Sequence, residues 1–340
     1  MPQRDSPHAE GHPVKLSVLE QVPLFAGHDA RNTLEDTVRL ARALEEAGYA
    51  RFWFAEHHNT SAFLSSAPDL LMMHTLQATE RIRVGSGGVM AMHYGSLQMA
   101  ERFSILATLF PGRVDMGLGR APGGDMLAAH ALNQGRVIDP TSIDALIAET
   151  VGLLRGTLPE DHPYARLTVT PHAEVLPEIW LLGSSGQSAA WAGEHDLNYA
   201  YAQFFSGRQD PGVMDHYRAH LPEPATAGRT LSAMGVSAAD TREEAEEQAL
   251  AAADFRLSMR QGRPVDFRDP ARIPEERRAE LRRYLRLDPS FVVGTWDEVA
   301  GQLRTFADTH GVDEIMLISY IADVEVKVHQ YRELARRLDG

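Results

Sequence analysis

Between Arg51 and Asp125 one pattern occurs three times in succession. A short apolar run gives way to polar or Gly-rich residues, and a helix-spaced segment follows. The runs are RFWF before EHHN, IRVG before SGG, and VDMGL before GR. Such repetition constrains the fold severely. Strands joined through helices lie parallel, because a parallel neighbour cannot be reached by a tight turn, and both faces of the sheet need cover.

The same alternation extends along the chain. Candidate strands fall at 15–20, 52–55, 82–85, 114–118, 179–182, 198–202, 231–236 and 314–318. Helical apolar spacing lies between them. Leu34, Val38, Leu40, Ala41 and Leu44 form one such face, with Asn32 or Thr33 as its cap and Gly48 as its end. After Pro68 the expected face is Leu70, Leu71, Met73, His74 and Leu76. A loop at 159–177 reads as holding a small hairpin around Leu167, Thr168 and Val169. The alternation breaks at 260–289, which is Arg-rich and lacks a strand pattern; its centre, 274–286, reads as a charged helix, and the segment as a solvated face or a cover over the barrel mouth. Eight units favour an α/β fold of the closed (β/α)8 TIM-barrel type, with an Arg-rich insertion (about 260–290) before the last βα unit. The first strand is not followed by G-x-G-x-x-G opening a helix, which argues against an open dinucleotide-binding sheet. The expected organisation is a loose tail over 1–13 and one domain over 14–340. A chain of 340 residues accommodates this, since such barrels take about 250 and tolerate insertions.

Composition removes several classes of function. The formal net charge of -14 argues against a nucleic-acid partner. Without cysteine there is no disulfide, thiolate metal site or Cys nucleophile. No run approaches the roughly 20 apolar residues of a membrane span, so the expectation is a cytoplasmic protein with no membrane partner.

In a barrel the chemistry sits on the loops after the strands. The candidates are Glu20-Gln21, Glu56-His57-His58, Ser86-Gly87-Gly88, Gly119-Arg120, Gly183-Ser184-Ser185, Tyr201 to Gln203, Ser237 and Ser319. An imidazole at His57 or His58 would titrate near neutral pH, or else only hydrogen-bond a loop. Alternation along a strand sends only one of the two into the mouth unless the strand has ended. No H-E-x-x-H occurs, so no metal is expected. Gly87 and Gly88 read as a plain turn or as room for a flat ligand. Gly183-Ser184-Ser185-Gly186-Gln187-Ser188 precedes a helix, where free N–H groups suit a phosphate or the serine simply caps. Arg120 supplies a charge for the same phosphate or joins a surface ion pair. Phe63, Leu64, Met90, Met92, His93 and Tyr94 suit a small, largely apolar organic substrate, or core.

Together, FWFAEHHN, IRVGSGGVM, LQMAERFSILATLFPGRVDMGLGRAPGGD, PEIWLLGSSGQSAAWAGEHDLNYAYAQFF and VGTWDEVAGQLRTFADTHGVDEIMLIS resemble the bacterial luciferase-like flavin-dependent monooxygenases, in the single-subunit-type oxidoreductase branch. The resemblance implies a homodimeric barrel using reduced FMN, supplied by a separate reductase, and oxygen. It implies that Gly87 and Gly88 lie against the isoalloxazine ring through a non-proline cis peptide. Arg120, Ser184, Ser185 and Ser188, within the turn from Gly183, would hold the phosphate, and Glu101 would lie near the flavin. His57 would be the active-site base, with His58 its neighbour. The light-emitting subunits carry a reactive cysteine where Gly119 stands here, so luminescence is not expected. The same family includes enzymes that transfer hydride through F420, whose anionic tail calls for an additional basic groove. A flavin-binding protein without a substrate is a third reading, and a metal-dependent hydrolase a fourth.

Overall fold

The computed structural model describes residues 14–137, 139–206, 210–263 and 266–338. The expected tail over 1–13 lies outside them. Strands β1 (Lys15–Glu20), β2 (Arg51–Phe54), β3 (Arg83–Ser86), β4 (Val89–Met90), β5 (Val114–Gly119), β6 (Glu178–Gly183), β7 (Asn198–Tyr201), β8 (Thr230–Ala239), β9 (Phe291–Thr295) and β10 (Glu314–Ile318) are joined mostly through helices. β1 pairs with β2 and with β10, and β10 pairs with β8, so the sheet closes on itself. The closed barrel comprises β1, β2, β3, β5, β6, β7, β8 and β10, all parallel. It is the (β/α)8 TIM barrel that the alternation predicts.

The two extra strands were not expected. β4 continues the chain past the cis Gly87–Gly88 peptide and pairs with the end of β5. β8 is ten residues long; its first half pairs with β10, and Gly235 to Ala239 pairs with β9. No strand forms around Leu167, Thr168 and Val169, and the expected hairpin is an irregular loop. Three apolar or β-branched residues do not make a strand when no described strand lies beside them to take their backbone hydrogen bonds.

The first helix, Ala30–Glu46, buries Val38, Leu40, Ala41 and Leu44 as expected. It begins a turn earlier than expected, because the Asp29 carboxylate accepts the Asn32 N–H at 2.9 Å. Helix Pro68–Ala78 buries Pro68, Met72, Thr75 and Leu76, while Leu70 is 69% exposed. The barrel surface selects the face one step round from the apolar spacing. Helix Ser96–Leu109 buries Met99 and Phe103.

The foot of the barrel is sealed by charge. Arg51, the first residue of β2, reaches Asp115 at 2.8 Å, Glu178 at 3.0 Å and Glu314 at 3.0 Å. Arg83 and Trp53 complete the shell around Asp115, and Arg83 and Arg229 both add to Arg51 at Glu178. Arg51, Asp115 and Glu314 are all buried. Separating one partner of such a group leaves an uncompensated buried charge. Arg51→Met should therefore lower unfolding stability by about 3–5 kcal/mol, measured by urea denaturation.

The insertion is a helix, Glu275–Leu287, laid along helix Arg242–Arg260. Arg277 pairs with Asp254 at 2.9 Å, Arg282 with Glu247 at 3.1 Å and Arg286 with Glu246 at 3.5 Å; Arg278 also meets Glu247. Leu281 and Leu285 are buried beneath these pairs. Ahead of the helix, Phe267 is fully buried and its carbonyl accepts the Ala26 N–H at 2.9 Å. The segment is thus zipped to the barrel and is not a fully solvated face.

Candidate active site

The C-terminal ends of the strands carry two distinct groups of side chains. The first surrounds Glu56, His57 and His58. β2 ends at Phe54, so alternation no longer governs these three, and the two imidazoles part. His58 Nε2 donates to Glu56 Oε1 at 2.7 Å, and its ring meets His93 edge to face. Glu56 is buried and also accepts the Tyr94 hydroxyl at 2.8 Å and the Met90 N–H at 2.9 Å. Burial, with Glu56 adding, raises the Tyr94 hydroxyl above its ordinary range, so it stays a donor. His93 Nε2 donates to the Pro122 carbonyl at 2.7 Å and its Nδ1 accepts from Asn133 at 3.0 Å. His58, His93, Tyr94 and Met90 are therefore held by one another, and they secure the loop around Pro122 and Gly123.

His57 faces the other way. Its ring stacks on Phe63 with centroids 4.4 Å apart, and its Nε2 lies 3.3 Å from Gln21 Nε2. Phe63 packs edge to face on Phe255 and Phe267, and Phe267 stacks on Phe255 and on Tyr320. The insertion thus contributes Phe267 to an aromatic wall next to His57, a role that its arginine content gave no hint of. Tyr320, directly after the last strand, donates its hydroxyl to Gln21 Oε1. Gln21 was among the strand-end candidates; Tyr320 was not, although Ser319 beside it was. Ser319 Oγ is buried without a partner among the described residues. Ser237 spends its hydroxyl on the Ala245 carbonyl, and Glu20 is paired with Lys327 at 2.6 Å, so neither offers a free group.

The second group gathers on β5 and β6. Arg120 is partly exposed and its Nη1 lies 3.2 Å from Asp144, itself 40% exposed. Ser185 caps helix Gly186–Glu194 by accepting the Ser188 N–H. Gly186 and Gln187 open this helix with N–H groups that have no acceptor among the described residues. Ser184 is exposed. Ser188 is different from the other two serines. It is fully buried, and its hydroxyl donates to the Ser185 carbonyl at 2.7 Å and meets the Tyr199 hydroxyl at 3.0 Å. It braces the turn from within. Gly183 is required there, since a Cβ would fall 2.0 Å from Ser188 Oγ. Burial pushes the Tyr199 hydroxyl up to about 12, against the opposing pull of Ser188 and the Arg120 charge.

Between the groups, the Gly87–Gly88 peptide is cis. A Cβ on Gly88 would meet the Gly117 carbonyl at 2.9 Å, so the strand ends approach here as only glycine permits. Glu101 is half-buried on helix Ser96–Leu109, in the outer layer. Among the described residues no group of three or more His, Cys, Asp or Glu is arranged to hold a metal. No described helix is long and apolar enough to cross a membrane.

Burial, with His58 adding, pulls the His57 imidazole down to about 4. An unfolded histidine takes up its proton below about 6.5. Between these values the unfolded chain binds more protons, so stability falls as the pH drops through that window. The full effect is about 3 kcal/mol. Urea denaturation at neutral and mildly acidic pH should show this loss in the wild type and a smaller one in His57→Gln.

Residues 14–314 match the description of the luciferase-like monooxygenases. The chain is 38% identical to protein YwcH of Bacillus subtilis (strain 168), covering 94% of this chain and 98% of that one. It is 34% identical to the N-acetyl-S-alkylcysteine monooxygenase of the same organism, covering 95% and 97%. The solved structure of apo-MsnO8 superposes with a TM-score of 0.85 at 32% identity, covering 96% and 98%. With its barrel, its matched sequence and its relatives in agreement, this chain belongs to the luciferase-like monooxygenase family of oxidoreductases.

Proposed function

We propose that the protein is a cytoplasmic FMN-dependent monooxygenase that uses reduced FMN, delivered by a separate reductase, and oxygen on a small apolar organic substrate. The observation that carries this reading is the pairing of an anion seat with a dry aromatic wall at one end of one barrel. Arg120, Ser184 and the free N–H groups of Gly186 and Gln187 suit a phosphate, and an arginine meets phosphate oxygens in bidentate fashion. The Arg120–Asp144 pair is partly solvated on both sides, so it costs little to exchange for a phosphate. Ser185 and Ser188 shape the seat as cap and brace. Gly87 and Gly88 lie at the strand ends between the two groups, where packing against Leu19, Trp53 and Gly117 admits only glycine.

Reduced FMN, when bound, supplies the electrons that activate oxygen. The chain's part is to orient and to exclude water. Phe63, Phe255, Phe267 and Tyr320 present apolar rings beside His57, which suits a substrate of the same character. The Glu56 network holds His58 away from that wall. Neutral His57 is then the polar group best placed to meet a reacting oxygen.

The barrel alone does not select the cofactor. It is shared, at 16% identity in each case, by an oxygenating monooxygenase constituent in complex with FMN and by an F420-dependent secondary alcohol dehydrogenase. Two observations favour FMN. The insertion's Arg277, Arg278, Arg282 and Arg286 are occupied by acids of helix Arg242–Arg260, so they do not form the free basic groove that an anionic F420 tail would want. A relative at 34% identity carries the name of a monooxygenase.

Fluorescence titration of wild type and Arg120→Ala with FMN and with F420 tests this reading. Preference for FMN, weakened about 10- to 100-fold by the substitution, is the expected result. Preference for F420 would replace oxygen transfer by hydride transfer. His57→Ala should slow oxygenation far more than it weakens FMN binding; equal losses would make His57 structural. For the homodimer, Met72 and Met99 are core residues, and the exposed apolar side chains on their helices are Leu70, Ile105 and Leu109. Ile105→Arg should convert a dimer to monomers in sedimentation, and an unchanged dimer would move the interface elsewhere.

A further inference from the structure

The hydrogen-bond chain that ends on His57 determines which of its two nitrogens carries the proton. Tyr320 is buried, and its hydroxyl has no other partner among the described residues than Gln21 Oε1. A hydroxyl hydrogen needs an acceptor, and only the amide oxygen can supply one here. The oxygen of Gln21 is thereby turned toward Tyr320 and its NH2 toward His57. That NH2 lies 3.3 Å from His57 Nε2 and can only donate. A neutral imidazole that accepts at Nε2 has its proton on Nδ1.

The surroundings hold this arrangement from several sides. Ser65 donates its hydroxyl to the Gln21 carbonyl at 2.9 Å, and its own carbonyl accepts the His57 N–H at 2.9 Å. Val22, next to Gln21, is buried with φ at 54°, a conformation that β-branched residues rarely adopt. Its N–H donates to Glu20 Oε1 at 2.7 Å, and its carbonyl accepts the Leu64 N–H at 3.0 Å. Glu20 is in turn held by Lys327. Backbone strain of this kind persists only where surrounding contacts over-determine it. Here the contacts hold the backbone of Gln21 and Val22 in place, from which the Gln21 amide reaches His57 and Tyr320.

We propose that Gln21 and Tyr320 are positioning residues that lock His57 in the Nδ1–H tautomer, so that His57 meets the reactants as a hydrogen-bond donor and not as the base that the sequence resemblance implied. No described residue bonds to Nδ1, and His57, though largely buried, keeps part of its surface exposed, which leaves that N–H available. The contact with reactants rests on the function proposed above. The tautomer does not, because it is set by protein groups alone.

The test is 15N-imidazole NMR on the full-length protein without cofactor at neutral pH, with the His57 signals identified by their loss in His57→Ala. The wild type should show a protonated Nδ1 and a bare Nε2. In Gln21→Glu, which keeps the shape of the side chain but can only accept, the proton should move to Nε2. Tyr320→Phe, which removes one oxygen, should release the amide and populate both tautomers. A wild type protonated at Nε2 would overturn the proposal. A wild type protonated at Nδ1 and unchanged in both variants would overturn the role of Gln21 and Tyr320. FMN titration of the same samples separates these outcomes from failure of the proposed function, since loss of FMN binding leaves the tautomer pattern readable.

Discussion

Closure of this barrel depends on one guanidinium. Arg51 starts β2, yet its acidic partners lie at the beginnings of β5, β6 and β10, within two residues of each start, and none of these is a neighbour of β2 in the sheet. The pairs therefore run across the foot of the barrel and tie together strands that no ladder joins. Arg51, Arg83 and Arg229 stand against Asp115, Glu178 and Glu314, so the cluster balances in charge. Burying the carboxylates of Asp115 and Glu314 is tolerable only with that balance and with hydrogen bonds on the remaining oxygens, which Trp53 and Ser17 help supply. A plug of this kind carries no chemistry. By closing one end, it leaves the loops at the other end to differ.

Those loops use the opposite physics. Around His57 the wall is aromatic, and burial acts on a single imidazole with no carboxylate bonded to it, which keeps it neutral. His58, one residue on, meets a buried carboxylate. Two histidines adjacent in sequence thus receive opposite environments. The insertion makes that division possible. Its arginines pair outward with Asp254, Glu246 and Glu247, while Phe267 turns inward beside Phe255 and Tyr320. The segment with the most charge in the chain is thereby the one that supplies an apolar surface to the mouth.

All eight barrel strands were legible, because their signal is local. An apolar run, a polar break and a 3.6-residue spacing each lie within a few residues of chain. β4 and β9 were not legible. The first has two residues, and the second exists because β8 continues past its partner β10 and offers an open edge. The exposed Leu70 and the buried Met72 show the same limit, since periodicity gives a face but not the rotation at which the barrel receives it. The strand-end rule named Gln21, Glu56, His57, His58, Arg120 and the turn from Gly183, and the structure sets them at or just past the ends of β1, β2, β5 and β6. The rule had no means of separating Ser188, which braces from inside, from Ser184, which faces solvent.

The sequence by itself determined the parallel alternation, the number of barrel units, the strand ends at which polar groups collect and the family to which they point. Only the tertiary structure decided what each polar group meets. Tyr320 reaches Gln21 across 299 residues of chain, and Arg51 reaches Glu314 across 263. The sign of a proton shift and the direction of an amide are set by such partners. They come together only when the last strand closes against the first, and no local pattern in the chain encodes that contact.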